Sequence, residues 1–448
     1  MTATAATPAA PVRPATVRPA PHPFRSELLR GSAPWAGVAV TVTLAIALAG
    51  KAAQWQGSWG ETQALLHTAT ALLGGPLAAA TGCWQGGRER RRRTDGLRAS
   101  AARGELAQFL TASLPTALWV VAGQLLATAG ALVATWPYTS AGRPFLSPVL
   151  VDAALLVAMT LLGHVVGRLV AWRAAAPALA VCCYILLAAP SYTMSGARHL
   201  SPASADFTGE MVAVWWQPVA ATAWTGGLAA AAVLAHTARR RFAALVPLTA
   251  AALAAVLITQ AGDDMWRDHP LSHRQVCDTS ERPHICVNAL HAGLLPEVDS
   301  ALGDFHGRLQ GVENLPVRFE DLRADSKHGD AELPTLTPLG WSVVRGRLTD
   351  PESYAWQAAA AITAIHDPCG ARGEDARALR VDMAVTDWLG RGAGRPTDDQ
   401  DASQALRDAA DRAARARLDA VPDDERRDWL SRYFATVHSC DPKDVPAL

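Results

Sequence analysis

Apolar and polar residues separate along this chain at the scale of whole segments. Seven stretches before residue 262 are apolar over about the length that a membrane-spanning helix needs. They are Trp35 to Ala49, Thr62 to Trp84, Glu105 to Trp136, Pro148 to Val170, Ala174 to Met194, Val212 to His236 and Phe242 to Ala261. The first is short for a span and the third is long. After Ala261 the pattern changes. From Cys286 to Val312 the residues Val287, Leu290, Leu294, Val298, Leu302, Phe305, Leu309 and Val312 recur every three or four positions, which predicts one buried helical face with Pro296 as a place for a kink. Leu315 to Leu322 alternates as a strand does, Trp341 to Leu348 is its expected partner, and the Pro-rich run Leu333 to Leu339 is the loop between them. Further helices are expected near Glu352 to Ile365, Asp375 to Leu389, Ala402 to Ala420 and Asp423 to His438, with a flexible connector at Arg391 to Asp401.

This patterning divides the chain into residues 1–33, 34–261 and 262–448. The first part is rich in Ala, Pro and Thr and too poor in large apolar groups to bury a core, so a disordered cytoplasmic tail is expected. It also lacks the apolar core and cleavage site of a signal peptide, so the first span is expected to stay as an anchor. The fold class is therefore an α-helical polytopic membrane protein of about seven transmembrane helices, followed by a mainly helical α+β extracytoplasmic domain. The chain has no net charge and only 18% charged residues, but that average conceals an apolar bundle and an ordinary charged domain.

Loop charges give the orientation, because Lys and Arg are retained on the cytoplasmic side of short loops. A cytoplasmic N-terminus puts Arg13, Arg18, Arg25 and Arg30 inside, together with Arg88, Arg90, Arg91, Arg92, Arg93, Arg98 and Arg103, then Arg168 and Arg173, then Arg239, Arg240 and Arg241. The opposite loops hold only Lys51, Arg143 and Arg198. Trp55, Trp59, Trp136, Tyr138, Tyr192, Trp215 and Trp216 fall at the expected outer ends, where amphipathic rings favour the headgroup layer. An odd number of spans then sends residues 262–448 out of the cytoplasm, across the plasma membrane. Cys83, Cys182 and Cys183 lie in spans, whereas Cys277, Cys286, Cys369 and Cys440 lie in the outer domain. An even number of cysteines in an oxidising compartment predicts disulfides. Of the three connectivities, Cys277 with Cys286 and Cys369 with Cys440 is preferred, and four reduced thiols are the alternative.

The segment Gly86-Gly87-Arg88-Glu89-Arg90-Arg91-Arg92-Arg93-Thr94-Asp95-Gly96-Leu97-Arg98-Ala99-Ser100 joins the second and third spans. It resembles the cytoplasmic loop of type-2 ATP-binding-cassette exporter permeases, in which Glu-Arg, then Thr, a small residue and Leu lead into a coupling segment. The resemblance extends over roughly Trp35 to His236, including an extracellular loop before the sixth span at Ser195 to Trp216. The chain departs from the pattern by a seventh span and an outer domain. This addition is similar to that of actinobacterial permease-like proteins in which Cys and a short polar loop precede Pro-x-x-Cys-Val, here Cys277 and Pro283-His284-Ile285-Cys286-Val287.

The resemblance implies a non-catalytic permease subunit, paired as a homo- or heterodimer, that moves its cargo on ATP hydrolysed by a separate subunit. Arg88, Glu89, Arg90, Arg91, Arg92, Arg93 and Thr94 would form the coupling loop. No Gly-x-x-x-x-Gly-Lys-Ser/Thr occurs in the sequence, so no cofactor is assigned to this chain, and ATP and magnesium are expected only in the partner. A simpler account is that seven arginines within sixteen residues fix topology and attract anionic headgroups, each charge contributing about 1 kcal/mol near the surface.

Other chemistry is sparse. There is no His-Glu-x-x-His, although His284, His291 and His306 lie near Glu297, Asp299 and Asp304; surface or capping histidines are the default over zinc. The spacing of Cys277 and Cys286 fits neither a redox Cys-x-x-Cys nor a zinc ribbon. No Gly-x-Ser-x-Gly accompanies the outer-domain serines, and no enzymatic activity is expected. Inside the spans, ionisable residues point to function by default. Asp152 is placed at the outer end of the fourth span, within reach of interfacial water, and His164 nearer its inner end, within Gly163-x-x-x-Gly167. A hydrogen bond between helices is the favoured role for His164, ahead of a substrate or proton role. Gly82-x-x-x-Gly86 gives the second span a similar packing face. Lipid bilayer and an ATPase subunit are thus the expected partners, with no nucleic acid. The alternative function is a membrane-anchored interaction or sensor protein that displays the outer domain.

Overall fold

A computed structural model of the protein describes residues 23–92, 104–170, 172–193, 195–204, 210–321, 330–337, 342–364, 370–390 and 402–448. Six helical segments among them are long and apolar enough to cross a membrane, and Ala33–Ala49 is a shorter apolar helix of 17 residues. The membrane part consists of α1 (Pro23–Arg30), α2 (Ala33–Ala49), α3 (Trp59–Ala69), α4 (Gly75–Gly86), α5 (Glu105–Thr135), α6 (Leu146–Leu169), α7 (Ala175–Ala188), α8 (Gln217–Thr237) and α9 (Leu245–Ala261). Helix α1 lies inside the segment expected to be a disordered tail. Its Leu28 carbonyl accepts from Trp119 Nε1 at 2.9 Å and its Glu27 pairs with Arg88, so contacts with distant residues order a segment whose own composition would not.

Helices α3 and α4 form one rod through a π-helical turn at Thr70–Gly74. The cause is Pro76, which has no N–H to donate and whose ring clashes with the carbonyl one turn back, so the backbone widens and Gly75 N–H bonds Thr70 O instead. The tightest helix pair is α4 with α6, and glycines make it. A Cβ at Gly163 or Gly167 would stand 2.0 Å from the carbonyl oxygen of Ala79 or Cys83, and one at Gly82 or Gly86 would stand 2.2 or 2.3 Å from that of Thr160 or His164. The two small-residue motifs therefore face each other, which is how helix backbones approach without a driving force from water. Helices α2 and α5 repeat the device at Gly37 and Gly123.

The stretch Val212 to His236 is not one helix. Met211–Ala213 is β1, paired antiparallel with β2 (Trp266–Asp268), and α8 starts only at Gln217, with Pro218 in its first turn. Strand pairing takes Val212 because the two segments entering and leaving the last two helices lie side by side at that end of the bundle.

The C-terminal part packs helices α10 (Leu295–Leu309), α11 (Pro351–Ile362), α12 (Ala376–Leu389), α13 (Ala402–Ala420) and α14 (Asp423–Phe434) around a sheet of β3 (Gln275–Asp278), β4 (His284–Asn288), β5 (Arg318–Glu320) and β6 (Ala331–Glu332), in the order β3-β4-β5-β6. Strand β3 is antiparallel to β4, and the other neighbours are parallel. Two sequence expectations change here. Val287 belongs to β4 and Leu290 to a 3-10 turn, so the helix begins at Leu295, and Pro296 sits in its first turn, where a missing N–H costs nothing, rather than at a kink. The partners of β5 are β4 and β6, whereas β7 (Val343–Val344) pairs with β8 (Arg347–Leu348) in its own hairpin. Three-to-four spacing does not separate a buried strand followed by a turn from a helix.

Cys277 and Cys286 are directly opposite each other on β3 and β4, with Cα atoms 4.0 Å apart, and are joined by a disulfide. Cys440 is also disulfide-bonded; Cys369 lies outside the described residues. Ile285, Val298, Leu302, Phe305, Phe319, Tyr354, Val385, Leu430 and Tyr433 fill the core between sheet and helices.

Candidate functional site

Asp152 does not reach interfacial water. It is 1% exposed, and its Oδ1 lies 2.6 Å from Nδ1 of His67, on α3 two turns before Pro76. Pro202, in the segment that joins α7 to α8, lines the same cavity as the His67 ring. That segment folds back into the bundle. Ser201 donates to Leu187 O at 2.5 Å, Trp224 Nε1 donates to Leu200 O at 2.9 Å, and Ala203 is buried beside Ala71 and Leu155. A cavity of about 40 Å³ lies between His67 and His199, walled in part by Ser201, Ser204, Gln217 and Trp224. His67 is an ionisable residue inside the second predicted span, so the rule that singled out Asp152 and His164 applied to it as well.

His164 does not join this site. Asp152 and His164 are twelve positions apart on one helix, roughly 18 Å along its axis. His164 is 3% exposed where α4, α5 and α6 meet, with its ring edge-on to Phe109 at a centroid distance of 4.8 Å. Its surroundings are those of a packing residue.

The basic end of the bundle is more ordered than a topology signal requires. Arg88 holds Glu27 of α1 through two bonds, Nη1 to Oε2 at 2.9 Å and Nη2 to Oε1 at 2.5 Å. Arg90 Nη1 donates to Leu169 O at 3.1 Å, and Arg91 donates to Trp84 O with its guanidinium 4.3 Å from the Trp84 ring. These are the last carbonyls of α6 and α4, which guanidinium groups satisfy well. Between α1 and the turn Arg88–Arg92 lies a crevice of about 540 Å³, lined by Glu27, Trp84, Gln85, Arg88, Arg91 and Arg92. Of the other proposed loop residues, Arg93 and Thr94 lie outside the described residues, as does the side chain of Glu89.

In the C-terminal part the three histidines do not converge. His284 Nδ1 lies 2.9 Å from Glu281 O, His291 Nδ1 lies 3.1 Å from Asp321 Oδ2, and His306 Nε2 lies 2.8 Å from Pro283 O. Glu297 accepts from Leu348 N at 2.7 Å instead of facing them. Among the described residues no group of three or more His, Cys, Asp or Glu is placed to hold a metal ion. The most buried charges among the described residues of the C-terminal part are Arg372 and Asp382, 0% and 1% exposed. Arg372 Nη2 and Tyr433 Oη each donate to Asp382 Oδ1 at 2.7 Å. Burial, and then the Asp382 carboxylate, push the Tyr433 phenol well above its ordinary range. Arg372 also donates to Asp382 Oδ2 and to the carbonyls of Thr436 and Ser439 within the domain, which makes the cluster a structural staple.

The two parts of the chain meet closely. Arg345 donates to Gln56 Oε1 at 2.7 Å, Ser140 donates to Leu290 O at 3.1 Å, and a Cβ at Gly346 would stand 2.4 Å from Tyr138 O. The C-terminal part thus sits on the ends of α2, α3 and α5, at the opposite end of the bundle from the arginines. No protein-family model, no characterised protein and no solved structure matches this chain.

Proposed function

We propose that the chain is a non-catalytic membrane-spanning subunit of an ATP-binding-cassette transporter, with N-terminus and arginine-rich loop in the cytoplasm, seven spans, and the C-terminal part outside. The observation that carries this reading is the crevice at the basic end. Topology alone asks only for positive charge, yet here α1 is fastened to Arg88 by a bidentate pair, and Arg91 and Arg92 line a recess about 540 Å³ in volume. An ordered, concave, basic surface suits an acidic element of a partner protein. ATP and magnesium belong to that partner. At the other end, the segment folded over His67 and Asp152 supports an intramembrane polar site that opens and closes during transport.

The test is recovery of the full chain from its native membrane in mild detergent, with identification of what co-purifies. A polypeptide carrying a P-loop is the expected partner. Glu89→Arg keeps the inward positive bias but reverses one charge of the loop, so normal insertion with weakened association is expected. Unchanged association would leave the loop a topology signal, and absence of any ATPase would overturn the assignment. The second reading, a membrane-anchored interaction or sensor protein, is favoured by the close seat of the C-terminal part on the bundle. It predicts a partner bound from outside that survives removal of the arginine loop's charge.

A further inference from the structure

Where the C-terminal part sits on the bundle, a cavity of about 190 Å³ remains between them. Thr139 and Ser140 wall it from the end of α5, and His291, Leu294, Leu336 and Val343 wall it from the C-terminal part. Small molecules bind in clefts of this kind, apolar over much of their surface with a few convergent polar groups and placed between two packed parts of a chain. The volume is several times the roughly 30 Å³ that one water molecule takes, so a small organic molecule fits. No Asp, Glu, Lys or Arg is among the walls. The polarity centres on His291.

The ring is oriented from behind. His291 Nδ1 lies 3.1 Å from Asp321 Oδ2, which also accepts from Asn288 N at 3.2 Å. A carboxylate only accepts, so the ring hydrogen is on Nδ1, and in the neutral ring Nε2 is a bare lone pair. Nε2 has no partner among the described residues, and the side chain is 14% exposed. Asp321 is not among the walls, so His291 spans from the carboxylate to the cavity. Two hydroxyls add to it. Thr139 Oγ1 donates to Trp136 O at 3.3 Å and Ser140 Oγ to Leu290 O at 3.1 Å, so their single hydrogens are committed and their oxygens are left to accept. The Ser58 and Tyr138 hydroxyls, also in the wall, can turn either way. The Asp321 charge is not cancelled by a described arginine. Arg318 turns to Glu320 and Asp330, and Arg345 to Gln56.

We propose that this cavity binds a small organic primary ammonium ion, held by the His291 Nε2 lone pair and the Thr139 and Ser140 oxygens. An ammonium group has three N–H donors and no acceptor, which matches three acceptors, and its charge answers that of Asp321 behind the ring. Leu294, Leu336 and Val343 take the alkyl part. A carboxylate would bring lone pairs to lone pairs, and an alcohol would supply one donor and no charge. The ligand touches both parts of the chain and so fastens one to the other. The site goes beyond the transporter reading and does not depend on it.

The experiment uses the full chain in nanodiscs of zwitterionic lipid at about pH 8, with empty nanodiscs as the blank, and isothermal titration with n-butylammonium, n-butanol and butyrate. Butylammonium should bind at least about tenfold more tightly than butanol, the worth of one charge-assisted hydrogen bond. Butyrate should not bind. His291→Phe keeps a ring but removes the acceptor and should weaken butylammonium binding by about tenfold or more. Absence of butylammonium binding, equal binding of butanol, tighter binding of butyrate, or unchanged affinity in His291→Phe would each overturn the proposal. Should His291→Phe not fold, hydrogen-deuterium exchange of the wild type decides. Butylammonium should slow exchange in the peptides that carry Ser140 and His291, butanol should not, and unchanged exchange in both peptides refutes the site. Neither measurement involves an ATPase, so their failure leaves the transporter reading standing, and the reverse.

Discussion

Tyr433 shows what burial does to a single titratable residue. Its hydroxyl is fully enclosed and donates to Asp382, which also holds Arg372. Burial and the neighbouring carboxylate raise its pKa in the folded state above the unfolded value of about 10. The neutral phenol is therefore favoured by folding. Its contribution to stability is fully present below the unfolded value and is lost as pH rises toward the folded one, because the unfolded chain releases a proton that the folded chain keeps. Tyr433→Phe should remove that part of the alkaline loss while costing about 1–3 kcal/mol at neutral pH, since Asp382 loses a buried donor. Chemical unfolding at several pH values, followed by near-ultraviolet circular dichroism, checks both effects, and an unchanged alkaline slope in the variant would contradict the account. Neither this cluster nor the His67–Asp152 pair was visible as a motif. Their members are 51 and 85 positions apart, and only the fold brings them within bonding distance.

At the scale of elements, glycines that look alike in the sequence do different work. Gly163 on α6 and Gly226 on α8 both sit inside apolar helices, but a Cβ on Gly163 would meet the Ala79 carbonyl at 2.0 Å, whereas one on Gly226 would meet nothing within 4 Å. Gly163→Ala must push α4 and α6 apart and should destabilise the bundle by about 1–3 kcal/mol, the usual cost of overpacking. Gly226→Ala should be neutral or stabilising by up to about 1 kcal/mol, from helix propensity. Unfolding of both variants in mixed micelles with increasing sodium dodecyl sulfate separates them, and equal midpoints would refute the packing argument. The spacing Gly82-x-x-x-Gly86 with Gly163-x-x-x-Gly167 was legible as two packing faces. That they pack on each other was not, because small-residue spacing names a surface without naming its partner. The π turn at Thr70–Gly74 was likewise marked only by Pro76, whose effect depends on the helix that continues on both sides of it.

For the whole molecule, orientation is the property that the remaining functional argument rests on. In a background lacking Cys83, Cys182 and Cys183, a cysteine at Thr94 should resist an impermeant thiol reagent in intact cells while one at Asp330 reacts. The opposite pattern would invert the topology and remove the proposed ATPase surface. The same orientation places Cys369 and Cys440 in an oxidising compartment, where a non-reducing peptide map should find them joined. Closing a loop of about 70 residues this way would contribute roughly 4 kcal/mol at most. The order of apolar helices, the position of the arginines and the Cys277–Cys286 pair were readable from sequence alone, because helix length, side-chain charge and a sequence separation of only 9 are local properties. The chain's own composition likewise set apart the charged domain after residue 262 from the bundle before it. Tertiary structure decided the rest. It drew residues 23–30 into a helix against Trp119 and Arg88, gave β5 the partners β4 and β6, brought the Pro202 segment to the cavity beside His67, and paired Asp152 with His67. Each of these turns on which distant surfaces meet, and hydrophobic period and residue spacing carry no information about that.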